Sequence, residues 1–320
     1  MSIATASGVA SYPARILRKL GRGSVNRPAS RFLYVLPLII LLLGMTVYPF
    51  VWGLVASFRD YRITLRDPWI GTSNYEAFLN GQNPAFLDSL ATTATIGGAA
   101  LAGEFLLGSL LALFFWHAFR AKRFLATLIL IPMLIAPVVV GITARMAFND
   151  SFGFINQFIS FFMGRDVQIL WLAEPKLAVL AVILTDMWQW TPFIFLIVLA
   201  GLMSVSESML EAARVDGARW WQQVRYILLP ALRYVLIVAV VIRGLDLTKL
   251  FDTIIMMTFG GPGTATEATS LTIYFLAFRA FSFGAAAAAS MLYLLVISVI
   301  VALALKLLSS DQFQRREVIA

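Results

Sequence analysis

The apolar residues of this 320-residue chain are gathered into long runs, and that gathering limits the fold more than any single motif does. The runs cover roughly residues 32–57, 88–116, 122–148, 176–202, 231–258 and 270–308. Each holds about 20 residues or more, the length an α-helix needs to cross the ~30 Å hydrocarbon layer of a bilayer. No water is available there to satisfy backbone N–H and C=O groups, so each run is expected to be helical. The expected class is an all-α polytopic membrane protein with six transmembrane helices. The last run exceeds one crossing, so its helix is expected to tilt or to begin at the interface. Hydrophobic residues make up 60% of the chain and charged residues 13%, against about half and a quarter in soluble domains.

The net charge of +8 does not point to nucleic acid, because the basic residues flank the apolar runs. Arg15, Arg18, Lys19, Arg22 and Arg27 lie before the first run, and Arg120, Lys122 and Arg123 lie between the second and third. Arg214, Arg219, Arg225 and Arg233 lie between the fourth and fifth, and Lys306, Arg315 and Arg316 near the end. The third connection has only Arg165, the fifth has none, and the first is mixed, with Arg59, Arg62 and Arg66. The excess of positive charge on the cytoplasmic side then predicts both termini inside. Three regions follow: a basic cytoplasmic tail over 1–31, a membrane domain over 32–308 and a cytoplasmic tail over 309–320. Ile16–Leu20 reads as a short amphipathic piece on the membrane surface. A signal peptide is the rival reading of the N-terminus, but the 32–58 run is long for one and no small-x-small site follows it.

One cytoplasmic connection, residues 204–230, carries most of the information. Ser204-Val-Ser-Glu207 fits a capping box and predicts a helix start near residue 205. Gly217 predicts a turn, since glycine in a helix interior costs about 1 kcal/mol relative to alanine. A second short helix with Trp220, Val224 and Ile227 on one stripe is expected, with Pro230 redirecting the chain into the fifth span. The expectation is a helix-turn-helix lying across the membrane surface.

The stretch Glu211-Ala-Ala-Arg-Val-Asp-Gly-Ala218, followed by Ile227, Leu229 and Pro230, resembles the cytoplasmic coupling loop of ABC importer permeases, whose pattern reads E-A-A-x-x-D-G-A and then I-x-L-P. Val224 departs from it, standing where the family usually has Phe. Other stretches resemble the carbohydrate branch, the maltose and glycerol-phosphate type. They are Tyr48-Pro49, Ser57-Phe58, Asn74-Tyr75, Asp186-Met-Trp-Gln-Trp-Thr-Pro192, Phe251-Asp252, Gly260-Gly-Pro-Gly263 with Thr266, Tyr274, and Ala277-Phe278. The resemblance covers about residues 32–308. It implies the type I importer permease fold in a bacterial inner membrane. It implies a second homologous permease subunit, two ATP-binding subunits and an extracytoplasmic solute-binding protein. It also implies that Glu211, Ala212, Ala213, Asp216, Gly217 and Ala218 contact an ATPase subunit, with ATP and Mg bound on partner subunits and no cofactor on this chain.

Charges inside a membrane are costly and face the bundle interior or water. Arg243, Asp246, Lys249 and Asp252 recur every third residue with alternating sign, so neighbours on one helix face would pair. Two readings stand: a structural ion ladder, or a polar wall of the substrate path. At 1.5 Å per residue, Asp186 and Lys249 lie at similar depths, about 15 and 13 Å from the outer ends of their spans, and Glu104 and Arg243 match at about 20–25 Å. The expected ion pairs are Asp186–Lys249 and Glu104–Arg243. Trp188-Gln189-Trp190 sits near mid-membrane, where aromatic rings can stack on sugar faces and an amide can bind hydroxyls; helix packing is the alternative. Tyr274 is a further path candidate. Gly284 with Ala285–Ala289, Ala99/Gly103 and Gly108/Ala112 read as close helix packing.

The chain has no cysteine and one histidine, His117, which excludes thiol catalysis and Cys/His metal clusters. It has no G-x-x-x-x-G-K-[ST] phosphate loop, nucleophile elbow or H-E-x-x-H. The expected function is the membrane subunit of an ATP-driven, binding-protein-dependent importer of a sugar, polyol or similar solute, with no enzymatic activity of its own. A permease for another solute class, or a self-sufficient secondary transporter, is the alternative.

Overall fold

The computed structural model describes residues 28–63, 67–117 and 120–317. The expectations for the basic tail before residue 28, including Ile16–Leu20, fall outside the described residues, as does Arg66. The chain forms two units, Met1–Val55 and Ala56–Ala320. The described part of the first is helix α1 (Pro28–Ser57), which contains Pro37 and Pro49 and ends two residues into the second unit.

The second unit is helical, with α2 (Ser73–Leu79), α3 (Pro84–Trp116), α4 (Lys122–Leu130), α5 (Pro137–Ala147), α6 (Phe154–Met163) and α7 (Pro175–Met203) in its first half. There follow α8 (Glu207–Val215), α9 (Trp220–Gln223), α10 (Leu229–Leu247), α11 (Asp252–Met257), α12 (Thr269–Phe278) and α13 (Phe283–Glu317). Among the described residues, five helical stretches are long and apolar enough to cross a membrane, or six if one bent pair is a single span.

Helices α3 and α7 form the spine of this unit. They approach closely because α3 offers glycine at the contact. A Cβ on Gly108 would lie 2.8 Å from the Ile194 Cβ and 2.9 Å from the Phe195 backbone nitrogen. Two apolar cores flank the spine. One gathers Ile96, Ala181, Val182, Leu247, Ile254 and Leu271 around the first half of α7. The other gathers Phe115, Phe195, Leu202, Leu210, Leu228 and Leu232 around its second half. The first connection folds back on itself. Asn74 donates to the carbonyls of Ser57 and Arg59 at 2.9 and 3.0 Å, and Ser57 Oγ lies 2.5 Å from Tyr75 Oη. Two of its cations are matched locally, Arg59 by Asp67 and Arg62 by Asp60, each at 2.8 Å, which accounts for its mixed charge.

Three of the expected spans differ from the structure. The 122–148 run is two helices, α4 with its 3₁₀ turn Pro132–Leu134 and then α5, bent by 97°. Pro132 and Pro137 donate no N–H, and the residue before a proline is driven to extended backbone. Ala136 accordingly has φ −60° and ψ 137°. The 231–258 run ends at Leu247, breaks, and resumes as α11. The break is tolerable in an apolar setting because other elements satisfy its carbonyls. Tyr293 Oη donates to the Thr248 carbonyl at 2.6 Å, and Ser270 Oγ to the Leu250 carbonyl at 2.5 Å. The 270–308 run is divided into α12 and α13 by residues 279–282, so its excess length is a separate short helix rather than tilt.

Candidate functional site

Two regions hold the residues singled out by sequence. The first is the 204–230 connection. Its helix is α8, preceded by Ser206 as N-cap without a side-chain capping bond. The capping box expected from Ser204 does not form, because Ser204 Oγ turns back to the Gly201 carbonyl at 2.7 Å and closes the end of α7 instead. Helix α8 anchors itself through buried Leu210 and exposes Glu211, Ala212, Asp216 and Gly217, with Ala213 and Ala218 half-buried. Gly217 has φ +78°, the left-handed conformation that glycine adopts at least cost. Its N–H binds the Arg214 carbonyl at 3.0 Å and that of Ala218 binds the Ala213 carbonyl at 2.9 Å. These are the two bonds of a Schellman motif, which ends α8 sharply. The next turn is fastened by glutamines: the Arg219 N–H donates to Gln222 Oε1 at 2.7 Å, and Gln223 Nε2 to the Ala218 carbonyl at 3.0 Å.

The expected second surface helix is not separate from the membrane span. Trp220 to Leu247 form one long apolar stretch, passing through a π-helical segment at Val224–Leu228 into α10. Pro230 directly follows the π-helical segment and cannot donate back into it, yet the stretch continues through it, so it does not redirect the chain. The wide π turn, with i→i+5 bonding, takes up the mismatch just before it. The exposed 211–219 turn therefore leads directly into a span.

The second region is a polar seam between the two apolar cores. Arg243 is its centre and is 2% exposed. Its Nε and Nη2 form a fork on Glu104 at 2.7 and 2.9 Å, Nη2 also reaches Asp186, and Nη1 binds Asp246 Oδ2 at 2.5 Å. The guanidinium lies 4.7 Å from the ring centroid of Trp190. One side chain thus joins α3, α7 and α10. The planar, five-donor guanidinium allows this, and lysine could not reproduce it. Buried ions persist only when paired and hydrogen-bonded in this manner. Asp186 lies about 16 Å along α7 from its start, which places the seam near mid-span.

Glu104 and Arg243 are brought together, but Asp186 pairs with Arg243 and not with Lys249. A fifth span reaching residue 258 would set Lys249 at the depth of Asp186, but α10 ends at Leu247. Lys249 lies beyond the helix end and is exposed, as is Asp252. The ladder is consequently reduced to its Arg243–Asp246 rung. The aromatic group is divided too. Residues two apart on a helix point to nearly opposite sides. Trp190 faces the seam, whereas Trp188 lines an apolar cavity of about 440 Å³ with Val140, Phe148, Ile155 and Trp171. Gln189 is fully buried and donates through Nε2 to the Ile135 carbonyl at 3.0 Å, pinning the bent third run. Tyr274 packs among Phe251, Phe275 and Phe278, with centroids 5.1–5.9 Å away. The Gly260-Gly-Pro-Gly263 turn is held by Thr266, which lies 2.7 Å from the Thr258 hydroxyl and donates to the Gly261 carbonyl at 2.9 Å. Ser270 and Tyr293 were not singled out by sequence; a hydroxyl within an apolar run is their only signal.

Residues 104–313 match the family model described as binding-protein-dependent transport system inner membrane component. The chain is 30% identical over 287 residues to the trehalose/maltose transport system permease protein MalF of Thermococcus litoralis, covering 89% of this chain and 94% of that one. It is 31% identical over 278 residues to the trehalose transport system permease protein SugA of Mycobacterium tuberculosis, covering 86% and 87%. Among solved structures it resembles a chain of the bacterial alginate ABC transporter in complex with its alginate pentasaccharide-bound periplasmic protein. The TM-score is 0.76 at 26% identity, over 91% of this chain and 96% of that one.

Proposed function

The chain belongs to the family of binding-protein-dependent transport system inner membrane components, and from that premise we propose how it works. It is a multi-pass permease subunit of an ABC importer, and its solute is a sugar or a sugar-like polyol. Both termini and the 204–230 connection lie on the side of the ATPase subunits. Helix α8 and the Gly217 turn dock on an ATPase subunit through Glu211, Ala212, Ala213, Asp216 and Ala218. ATP and Mg are held on two such partners. A second permease completes the membrane path, and an extracytoplasmic binding protein delivers solute. Trp190 and Asp246 line that path.

The observation that carries the reading is the continuity of the exposed turn with the span that bears Arg243 and Asp246. A displacement at the turn is applied directly to a helix at the polar seam. Elements linked in this way move as one body, so closure of the ATPase pair is felt at mid-membrane without an intervening flexible loop. The relatives named for trehalose and maltose support a sugar as solute.

The test is uptake of trehalose and maltose into proteoliposomes holding the two permeases, the ATPase subunits and the binding protein. Uptake that requires ATP, the ATPase subunits and the binding protein is expected. Uptake by this chain alone, driven by an ion gradient, would overturn the reading.

A further inference from the structure

The three carboxylates on Arg243 are not equivalent. Glu104 and Asp186 are sealed within the seam, with side chains 0% and 4% exposed, whereas the Asp246 side chain is 45% exposed. Asp246 Oδ2 is held by the guanidinium, and Oδ1 accepts no hydrogen bond from any described residue. The same guanidinium lies 4.7 Å from the centroid of the half-buried Trp190 ring. A carboxylate near mid-span does not face lipid; it faces water or another polar surface. Arg243 already pairs with Asp246 through Nη1, but its single positive charge is shared with Glu104 and Asp186, so three carboxylates face one cation. The open face of the seam therefore carries a net negative group at a fixed place, next to an aromatic ring.

We infer that Asp246 is a charge filter in the solute path, held in place by Arg243, that admits neutral polyhydroxyl solutes and rejects anionic ones such as uronates. This rests on the reading of the chain as a permease whose path passes Trp190 and Asp246. A neutral sugar presents hydroxyl donors to Oδ1 and an apolar ring face to the indole. A uronate instead brings a second carboxylate. At about 5 Å and an effective dielectric of about 20, repulsion between the two lowers occupancy by roughly two orders of magnitude. The overall likeness to an alginate transporter does not extend an acidic solute to this chain.

The lack of native cysteine makes the filter measurable without knowing the solute. In membranes carrying the full transporter, Asp246→Cys and, separately, Glu104→Cys are treated with water-soluble methanethiosulfonates, and labelling is read on this chain by mass. Asp246→Cys is expected to label readily and Glu104→Cys to resist. Trp190→Cys is then labelled with a cationic and an anionic reagent, with Asp246 intact or replaced by Asn. The cation-to-anion rate ratio is expected to fall about tenfold or more when Asp246 is neutralised. An Asp246→Cys as unreactive as Glu104→Cys would place this face against lipid or protein and overturn the inference. An unchanged ratio would overturn it as well. If trehalose and maltose uptake fails while the ratio still falls, the filter stands and only the identity of the neutral solute changes.

Discussion

Replacing Arg243 with methionine tests whether the polar seam holds the bundle together. The substitution keeps an unbranched side chain and removes one buried cation. Glu104 and Asp186 are then left buried without their partner, and four hydrogen bonds to three carboxylates are lost. Charge-assisted bonds contribute about 1.5–3 kcal/mol each, so a simple sum would give about 6–12 kcal/mol. Bonds converging on one guanidinium are not additive, and removing one partner of a buried pair costs about 3–5 kcal/mol. The expected loss is therefore about 3–5 kcal/mol. Glu104→Gln should cost less, about 1–3 kcal/mol, because Arg243 keeps Asp186 and Asp246. Replacing Arg243, Glu104 and Asp186 together by Met, Met and Leu should restore stability to within about 2 kcal/mol of the parent, since the one carboxylate left without its partner, Asp246, is 45% exposed and no buried charge is orphaned. Denaturant titration of the detergent-purified transporter, followed by tryptophan fluorescence, measures all of these. Arg243→Met within about 1 kcal/mol of the parent would refute the argument. So would a triple variant no more stable than Arg243→Met, because the loss would then lie in packing rather than in uncompensated charge.

Three other predictions concern the backbone. Gly217→Pro deletes the N–H bonded to the Arg214 carbonyl and forces φ from +78° to about −65°; ATP-driven uptake should fall at least tenfold while basal ATPase activity of the complex persists, and wild-type uptake would count against the docking role. Gly108→Ala places a Cβ 2.8 Å from the Ile194 Cβ and should cost about 1–3 kcal/mol by forcing α3 from α7; a denaturation midpoint equal to that of the parent would show that the spine has slack. Gln189→Leu removes the donor that holds the half-buried Ile135 carbonyl, a cost of about 1–3 kcal/mol, and should increase proteolysis or hydrogen exchange around residues 131–137 specifically.

Mechanistically, the exposed turn and the polar seam are two ends of one stretch, Trp220–Leu247. The residues that resemble the coupling loop were legible because glycine at a left-handed position, a short helix before it and small residues at its surface are local properties. The Schellman bonds at Gly217 need only neighbouring backbone. The capping box at Ser204 does not form for an equally local reason: a serine beside a helix end can serve the helix before it or the one after, and Ser204 serves α7.

Hydropathy by itself determined that this chain spans a membrane as helices, because about 20 consecutive apolar residues leave the backbone no other way to satisfy its hydrogen bonds. Local pattern likewise determined the turn at Gly217 and the helix-packing role of Gly103 and Gly108. Where the spans break was decided only in three dimensions. A helix can stop at Leu247 because Tyr293 and Ser270, distant in sequence, supply the donors that the freed carbonyls require. The partners of the buried charges were decided in the same way. Spacing along one helix pointed to a ladder of four, whereas the guanidinium of Arg243 lies where two other helices present Glu104 and Asp186. A buried ion takes its partners from whatever surrounds it, and that surrounding belongs to the packed bundle.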